Sequence, residues 1–184
     1  MPKKILIIDD DPVASNGAKL ALEQAGYLVS EVEKEADAIE SAKDGKFDLI
    51  VIDLNMGGEK EAGYRLMGRL PRSVPKIIWS GWEEGKIVRR AFDPPSDVSP
   101  ARGYIFKSES NDALVNRVRL EFAETETRRV WIRRILAIAA AGFFILGVLK
   151  LVPVLAGDQM NQDVLVGVLS NLIFGVLMFI LRFR

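Results

Sequence analysis

Short, mainly apolar runs recur along the first part of the chain, and four of them end on polar side chains. The runs and the residues that follow them are 5–8 before Asp9, Asp10 and Asp11, 49–52 before Asp53, 76–79 before Ser80, and 103–106 before Lys107. Runs this short and rich in β-branched residues predict buried strands of a parallel sheet.

Patterns typical of helices lie between these runs. Residues 12–26 place apolar side chains at helical spacing and stop at a glycine, which predicts an amphipathic helix. The same reasoning predicts a second strand over 27–32 and further helices over 35–43, 61–70 and 111–127. Because crossovers between parallel strands are right-handed, this alternation predicts a five-stranded, parallel, doubly wound α/β sheet.

The interval 81–102 interrupts the alternation. Pro94, Pro95 and Pro100 each remove a backbone donor and restrict the preceding residue. Only residues 86–92 are predicted to form a helix, and the rest of the interval is predicted to be a loop.

The acids at the strand ends predict a cation site. Carboxyl ends of parallel strands lie at one edge of the sheet, so Asp9, Asp10 and Asp53 are expected to lie close together. Carboxylates crowded in this way repel one another unless a cation lies among them. Mg2+ prefers oxygen ligands and fits such a site best.

Taken together, the polar residues on four strand ends resemble the receiver domain of bacterial response regulators, which has a flavodoxin-like fold. The resemblance covers roughly residues 1–125. It matches Asp9 and Asp10 to the metal-binding acids and Asp53 to the phosphoacceptor. It also matches Ser80 to the switch hydroxyl, Tyr104 to the switch aromatic residue, and Lys107 to the invariant lysine. Gly57 and Ser108 stand where the family often has proline.

The resemblance implies a mechanism. Asp53 would accept a phosphoryl group from a sensor histidine kinase or a phosphotransfer protein. Mg2+ would be held by Asp10, Asp53 and the backbone carbonyl of Asn55, with Asp9 acting mainly through water. Lys107 and Ser80 would neutralise the phosphoryl oxygens, and Ser80 and Tyr104 would form a two-state switch. Such a protein signals through protein contacts and is not a turnover enzyme.

Composition narrows the chemistry and divides the chain. Neither cysteine nor histidine is present, which excludes disulfides, thiolate metal sites, imidazole catalysis and histidine-ligated zinc. Residues 1–127 carry 18 Lys+Arg against 23 Asp+Glu, whereas residues 128–184 carry seven against two. The N-terminal apolar run is too short for a signal peptide, so the acidic part is expected to stay in the cytoplasm.

The basic part predicts a transmembrane hairpin. Residues 135–156 and 164–181 are nearly free of charge, and each approaches the roughly 20 residues that cross a bilayer. Arginines flank the pair, namely Arg128, Arg129, Arg133, Arg134, Arg182 and Arg184. By the positive-inside rule, both ends of the hairpin are expected on the cytoplasmic side of the inner membrane. The spacing of Gly167, Asn171 and Gly175 favours close approach of another helix and makes the hairpin a candidate homo-oligomer contact.

We therefore expect a receiver domain over 1–125, a basic juxtamembrane helix or linker over 126–134, and two transmembrane helices within 135–184. A nucleic-acid partner is not expected, because membrane topology better explains the arginines. Two alternatives stay open. The receiver could be a docking module of a membrane complex that is never phosphorylated, or the hairpin could form a pore or transporter subunit that the receiver regulates.

Overall fold

The computed structural model describes residues 1–43, 46–59, 61–81, 85–96, 98–155 and 162–181. It contains the strands β1 (Lys4–Ile8), β2 (Leu28–Val32), β3 (Leu49–Ile52), β4 (Lys76–Ser80) and β5 (Gly103–Phe106). Its helices are α1 (Pro12–Gln24), α2 (Glu35–Lys43), α3 (Ala62–Arg69), α4 (Gly85–Phe92), α5 (Asn111–Leu155) and α6 (Gln162–Leu181).

The five strands form one parallel sheet in the order β2-β1-β3-β4-β5, which confirms the predicted fold class. Every residue of β3 and β4 is buried, and β1 is buried after its first residue. These continuous apolar runs are expected of central strands covered by helices on both faces. One face packs against α2, α3 and α4 through a core that includes Leu6, Ile50, Ile78, Leu66 and Ile87.

Helix α1 begins at the third acid of the strand-end cluster. The side chain of Asp11 accepts hydrogen bonds from the amides of Val13 at 2.9 Å and Ala14 at 3.3 Å, and Pro12 occupies the first helical position. This is an N-cap, in which a carboxylate satisfies amides that have no partner within the helix. Asp11 therefore orients the helix that follows the acidic pair.

The interval after β4 contains the short helix predicted from the sequence. Helix α4 covers Gly85–Phe92, and Ile87 and Ala91 face the core. The chain that follows is irregular, but it is fastened to the domain. Ala101 donates its amide to the carbonyl of Ala91 at 2.7 Å, and Arg72 donates to the carbonyl of Ser96 at 2.6 Å. Residues 93–96 and 98–102 thus form a loop that is hydrogen-bonded to the domain.

The chain divides into two compact units, Met1–Glu121 and Phe122–Arg184. In the second unit α5 and α6 contact each other. The rings of Phe143 and Phe174 stack with centroids 5.5 Å apart, and a Cβ on Gly175 would lie 3.4 Å from the carbonyl oxygen of Ala140. Gly175 therefore lies where the two helices approach closely, as its spacing predicts.

Helix α5 continues through the predicted linker 126–134 as regular helix. Within the described residues, no helix combines the length and the apolar character needed to cross a membrane. The transmembrane hairpin is therefore not confirmed. The end of the first predicted segment at residue 156, the connection 157–161, and Arg182 and Arg184 lie outside the described residues.

Candidate functional site

Four strand ends bring the predicted site residues to one edge of the sheet. Strand β1 leads to Asp9 and β3 to Asp53, while β4 ends on Ser80 and β5 leads to Lys107. The strand ladder continues into the site, because the amide of Asp53 donates to the carbonyl of Ile8 at 3.0 Å and that of Lys107 to the carbonyl of Ser80 at 3.0 Å. The backbone thus fixes the spacing of the four side chains.

The carboxylate of Asp53 is buried and is contacted on both oxygens. Its Oδ1 accepts hydrogen bonds from Ser80 Oγ at 2.5 Å and from the amide of Asn55 at 3.0 Å. Its Oδ2 accepts from Lys107 Nζ at 2.6 Å. Three donors therefore converge on one buried carboxylate and hold it in one orientation.

Lys107 pairs with a second buried acid as well. Its Nζ lies 2.8 Å from Oδ1 and 2.7 Å from Oδ2 of Asp9, with only 17% of the lysine side chain exposed. Burial by itself lowers the pKa of the ammonium, but the hydrogen bonds and charges of Asp53 and Asp9 outweigh it and raise the pKa above the usual 10.5. The site therefore holds a permanent positive charge at neutral pH.

Asp9 is the most deeply buried acid of the cluster. Burial raises the pKa of its carboxyl above the usual 3.8, against the lowering effect of Lys107 and of the Asp11 amide. Oδ1 accepts a hydrogen bond from that amide at 3.0 Å. Among the described residues, Oδ2 is a buried oxygen that accepts no well-formed hydrogen bond, although Lys107 Nζ lies near it. This oxygen thus already faces one cation, the ammonium of Lys107 at 2.7 Å.

Asp10 is exposed and is oriented by the loop after β3. Its Oδ2 accepts a hydrogen bond from the amide of Gly57 at 2.8 Å. Gly57 and the following Gly58 have φ values of 62° and 75°, which only glycine adopts readily. A proline at position 57 could not donate this hydrogen bond, so the departure from the family pattern gives Asp10 a partner.

The three acids fit a divalent cation. One carboxylate oxygen from each of Asp9, Asp10 and Asp53 lies within 4.8 Å of the others. An all-oxygen set of this kind suits Mg2+, which is bound through a few carboxylates and keeps several waters. Asp10 and Asp53 open onto a cleft of about 360 Å³, which is lined by Asp10, Asp11, Asp53, Asn55, Ser80, Gly81 and Lys107. Asn55 therefore lies at the predicted place, and the role of its carbonyl stays a prediction.

Tyr104 lies beside Ser80. It is half-buried against the core, and its hydroxyl donates a long hydrogen bond of 3.5 Å to the backbone carbonyl of Ser80. Its ring meets Phe106 edge to face with centroids 4.8 Å apart. The structure thus brings the two predicted switch residues into contact through the backbone of Ser80.

Two contacts of the site were not predicted from the sequence. The buried ring of Trp79 lies beneath the ammonium of Lys107, with 5.3 Å from Nζ to the ring centroid. In α3, a Cβ on Gly63 would lie 1.8 Å from the carbonyl oxygen of Asp53. A glycine inside a predicted helix was a usable signal for such a close approach, whereas no sequence signal pairs Trp79 with Lys107.

Comparisons with known proteins agree with this fold. The family model described as the response regulator receiver domain matches residues 5–119. The chain therefore belongs to the response regulator receiver domain family, consistent with a role in two-component phosphorelay signalling.

Curated relatives and solved structures extend the comparison. The chain is 30% identical over 122 residues to the transcriptional regulatory protein ComA of Bacillus subtilis (63% of this chain, 54% of the relative). It is 29% identical over 125 residues to the nitrate/nitrite response regulator protein NarP of Escherichia coli (64% and 54%). It thus spans about half the length of these relatives. A CheY-like receiver domain from Methanospirillum hungatei superposes with a TM-score of 0.61 at 22% identity, covering 70% of this chain and 99% of that one, and shows the shared fold.

Proposed function

We propose that this chain is a receiver that accepts a phosphoryl group on Asp53 in a Mg2+-dependent phosphorelay. The observation that carries the proposal is the position of the Asp53 carboxylate at the cleft, between the hydroxyl of Ser80 at 2.5 Å and the ammonium of Lys107 at 2.6 Å. The donor would be a phosphohistidine on a sensor histidine kinase or on a phosphotransfer protein.

The transfer is a substitution at phosphorus. A carboxylate oxygen of Asp53 forms the new P–O bond while the P–N bond of the phosphohistidine breaks. The electron pair of that bond stays on the imidazole nitrogen, and a ring already protonated on its other nitrogen leaves as neutral imidazole. Charge is spread over three equatorial phosphoryl oxygens in the transition state, and stabilising that charge is the main task of the protein.

Two side chains of the chain can stabilise this charge. The Nζ of Lys107 and the Oγ of Ser80 already touch opposite oxygens of Asp53, so both lie within reach of a group bound to that carboxylate. Their present hydrogen bonds would move from the carboxylate to the phosphoryl oxygens. Because Tyr104 contacts the backbone of Ser80, a displacement of Ser80 would be passed to the half-buried tyrosine. This is a switch with a single transfer, and we do not propose turnover.

The acids Asp9, Asp10 and Asp53 would hold Mg2+, with the backbone carbonyl of Asn55 as a further ligand. When bound, the ion supplies positive charge that offsets the repulsion between the carboxylates and the incoming phosphoryl group. Asp10 is the exposed member of the set. It follows β1, lines the cleft and accepts a hydrogen bond from Gly57 in the β3–α3 loop.

The phosphoacceptor is tested with the full chain and acetyl phosphate. We expect the intact mass to increase by one phosphoryl group with Mg2+ present and not with EDTA. Asp53→Asn should abolish the increase. Asp48→Asn is the matched control, since Asp48 is an aspartate at the other end of the same strand, where it pairs with Lys3. No phosphorylation of the parent chain would leave a docking module that is never phosphorylated as the better account, whereas phosphorylation of Asp53→Asn would show that Asp53 is not the phosphoacceptor.

We further propose that the C-terminal helices anchor the receiver at the inner face of the cytoplasmic membrane, as a multi-pass hairpin that also favours homo-oligomers. Large apolar side chains are exposed along both helices, and exposed apolar surface of this kind marks a contact with a membrane or with another protein. Among the described residues they include Ile138, Phe144, Ile145, Leu149, Val166, Ile173, Phe174 and Leu177. The arginines at 128–134 would lie at the cytoplasmic interface.

The anchor is tested by topology. The full chain should sediment with membranes and resist carbonate extraction. The chain has no native cysteine, so single cysteines can be placed cleanly. Gln159→Cys should react with an impermeant thiol reagent outside intact cells, and Glu126→Cys should not. Labelling of Glu126→Cys from outside would contradict the topology, and cross-linking of the same membranes measures the oligomer.

A further inference from the structure

The indole ring of Trp79 lies beside Lys107 at the proposed phosphoacceptor site. Trp79 lies on β4 directly before Ser80, and only 3% of it is exposed. The Nζ of Lys107 lies 5.3 Å from the centroid of its ring. A cation within about 6 Å of an aromatic centroid is attracted by the negative face of the ring, and tryptophan has the strongest such face.

The Trp79 ring carries no charge, whereas the other two partners of Lys107 are carboxylates. The ammonium also contacts the carboxylates of Asp53 at 2.6 Å and Asp9 at 2.7 Å. Both acids belong to the cluster that fits a divalent cation. A cation bound there, or a phosphoryl group on Asp53, changes the charge that these acids present to Lys107. The indole neither binds hard cations nor accepts a phosphoryl group, so its attraction for the ammonium stays constant.

We infer that Trp79 is a positioning residue, which keeps the ammonium of Lys107 beside Asp53 when the carboxylates are engaged by a cation or by a phosphoryl group. This inference rests on the proposed function. A lysine side chain is long and flexible and must give up rotamer freedom to stay in one place. The ring wall removes much of the space into which the ammonium would otherwise move.

A purely structural role for Trp79 makes a different prediction. A buried aromatic side chain that only fills the core affects stability and leaves the position of Lys107 unchanged once the protein is folded. A positioning residue instead acts through Lys107, so its effect on phosphoryl transfer disappears when Lys107 is absent. The two roles are therefore separated by a double-mutant cycle between the two positions.

The first measurement is the rate of phosphorylation of the full chain by acetyl phosphate with Mg2+. Trp79→Leu should lower the rate by about 5- to 30-fold, the range that a partly desolvated cation–π contact implies. Trp79→Phe retains a ring and should lose less. In a Lys107→Met background, where only a residual rate remains, Trp79→Leu should cause no further loss. An equal loss in both backgrounds would overturn the inference.

The second measurement does not depend on transfer. In the full chain with isotope-labelled lysine, the protons next to Nζ of Lys107 should be shifted upfield by the indole ring, and Lys107→Met identifies the signal. We expect the shift to persist when Mg2+ is added and to vanish in Trp79→Leu. If Trp79→Leu does not fold, the smaller shift in Trp79→Phe replaces it. If the shift is lost when Mg2+ is added to the parent chain, the inference is overturned, even if the chain is phosphorylated normally. If the shift persists but the chain is not phosphorylated, only the proposed function is refuted.

Discussion

Ser80 donates a hydrogen bond to Asp53 across 2.5 Å, so the predicted switch hydroxyl points at the proposed phosphoacceptor. Asn55 and Lys107 complete the set of donors around the same carboxylate. The carboxylate is thus held in one orientation, and its donors lie where they could stabilise the charge that would develop during the proposed transfer.

Removal of this hydroxyl should slow phosphorylation. We expect Ser80→Ala to lower the rate of phosphoryl uptake from acetyl phosphate by about 10- to 100-fold, the value of a hydrogen bond to a charged group. Ser80→Thr retains the hydroxyl and should keep most of the rate. Equal rates for Ser80→Ala and the parent chain would show that Oγ does not contact the reacting group.

The two N-terminal acids should contribute unequally to Mg2+ binding. Asp10 is exposed at the cleft, whereas Asp9 is buried and paired with Lys107. We expect Asp10→Ala to weaken Mg2+ binding more than Asp9→Ala. Mutation of a group that only orients a metal ligand lowers metal affinity by about 10- to 100-fold. Because Asp10 is the proposed direct ligand, Asp10→Ala should lower the Mg2+ affinity by more than this. Calorimetric titration of the full chain measures both, with Asp48→Ala as a carboxylate control, and the reverse order would refute the assignment.

Two glycines of the same helix should respond oppositely to alanine. A Cβ on Gly63 would lie 1.8 Å from the carbonyl oxygen of Asp53, whereas one on Gly68 would make an ordinary contact of 3.4 Å with Val98. Gly63→Ala should lower the free energy of unfolding by about 3 kcal/mol through overpacking. Gly68→Ala should raise it by up to about 1 kcal/mol through helix propensity. Urea denaturation measures both variants, and an unchanged stability of Gly63→Ala would show that α3 can move away from Asp53.

The buried amine of Lys76 should make stability depend on pH. Its Nζ donates to the carbonyls of Pro71 at 2.8 Å and Val74 at 3.1 Å, and burial, aided by the charge of Arg72, lowers its pKa from 10.5 to about 8. Between these values the unfolded chain binds a proton that the folded chain lacks. Stability should therefore rise from pH 8 to pH 10.5, by on the order of 1–3 kcal/mol. Lys107 has a raised pKa and loses its contribution only above 10.5.

The matched control for this pH effect is Lys76→Met. The variant leaves two carbonyls without their donor and should be less stable throughout, but its stability should vary less between pH 8 and pH 10.5. Urea denaturation at several pH values measures the slope. An equal slope in the two proteins would show that Lys76 keeps its usual pKa.

The strand-end residues were predictable because the sheet itself brings them together. Once β1, β3, β4 and β5 are recognised as parallel neighbours, Asp9, Asp53, Ser80 and Lys107 must lie at one edge. The interval 81–102 was predicted only in part, since its proline residues exclude helix but do not determine how the loop is fastened. That depends on long-range contacts such as the one from Arg72 to Ser96.

Side-chain contacts across the sheet were the least predictable part of the site. The sequence places Trp79 in one strand and Lys107 directly after the neighbouring strand, but it does not indicate that the ammonium lies over the ring. The hydrogen bond from Gly57 to Asp10 likewise depends on the left-handed conformation of a glycine, which becomes visible only in the folded loop. Such contacts depend on rotamers and loop geometry, which hydrophobic patterns do not encode.

The ammonium of Lys107 gives the acidic cluster its own tethered counterion. A nascent chain that reaches the folded state in a compartment poor in magnesium still has a positive charge between Asp9 and Asp53. The positive charge that offsets the repulsion between these acids is thus part of the chain itself, so folding of the domain would not depend on a bound metal ion.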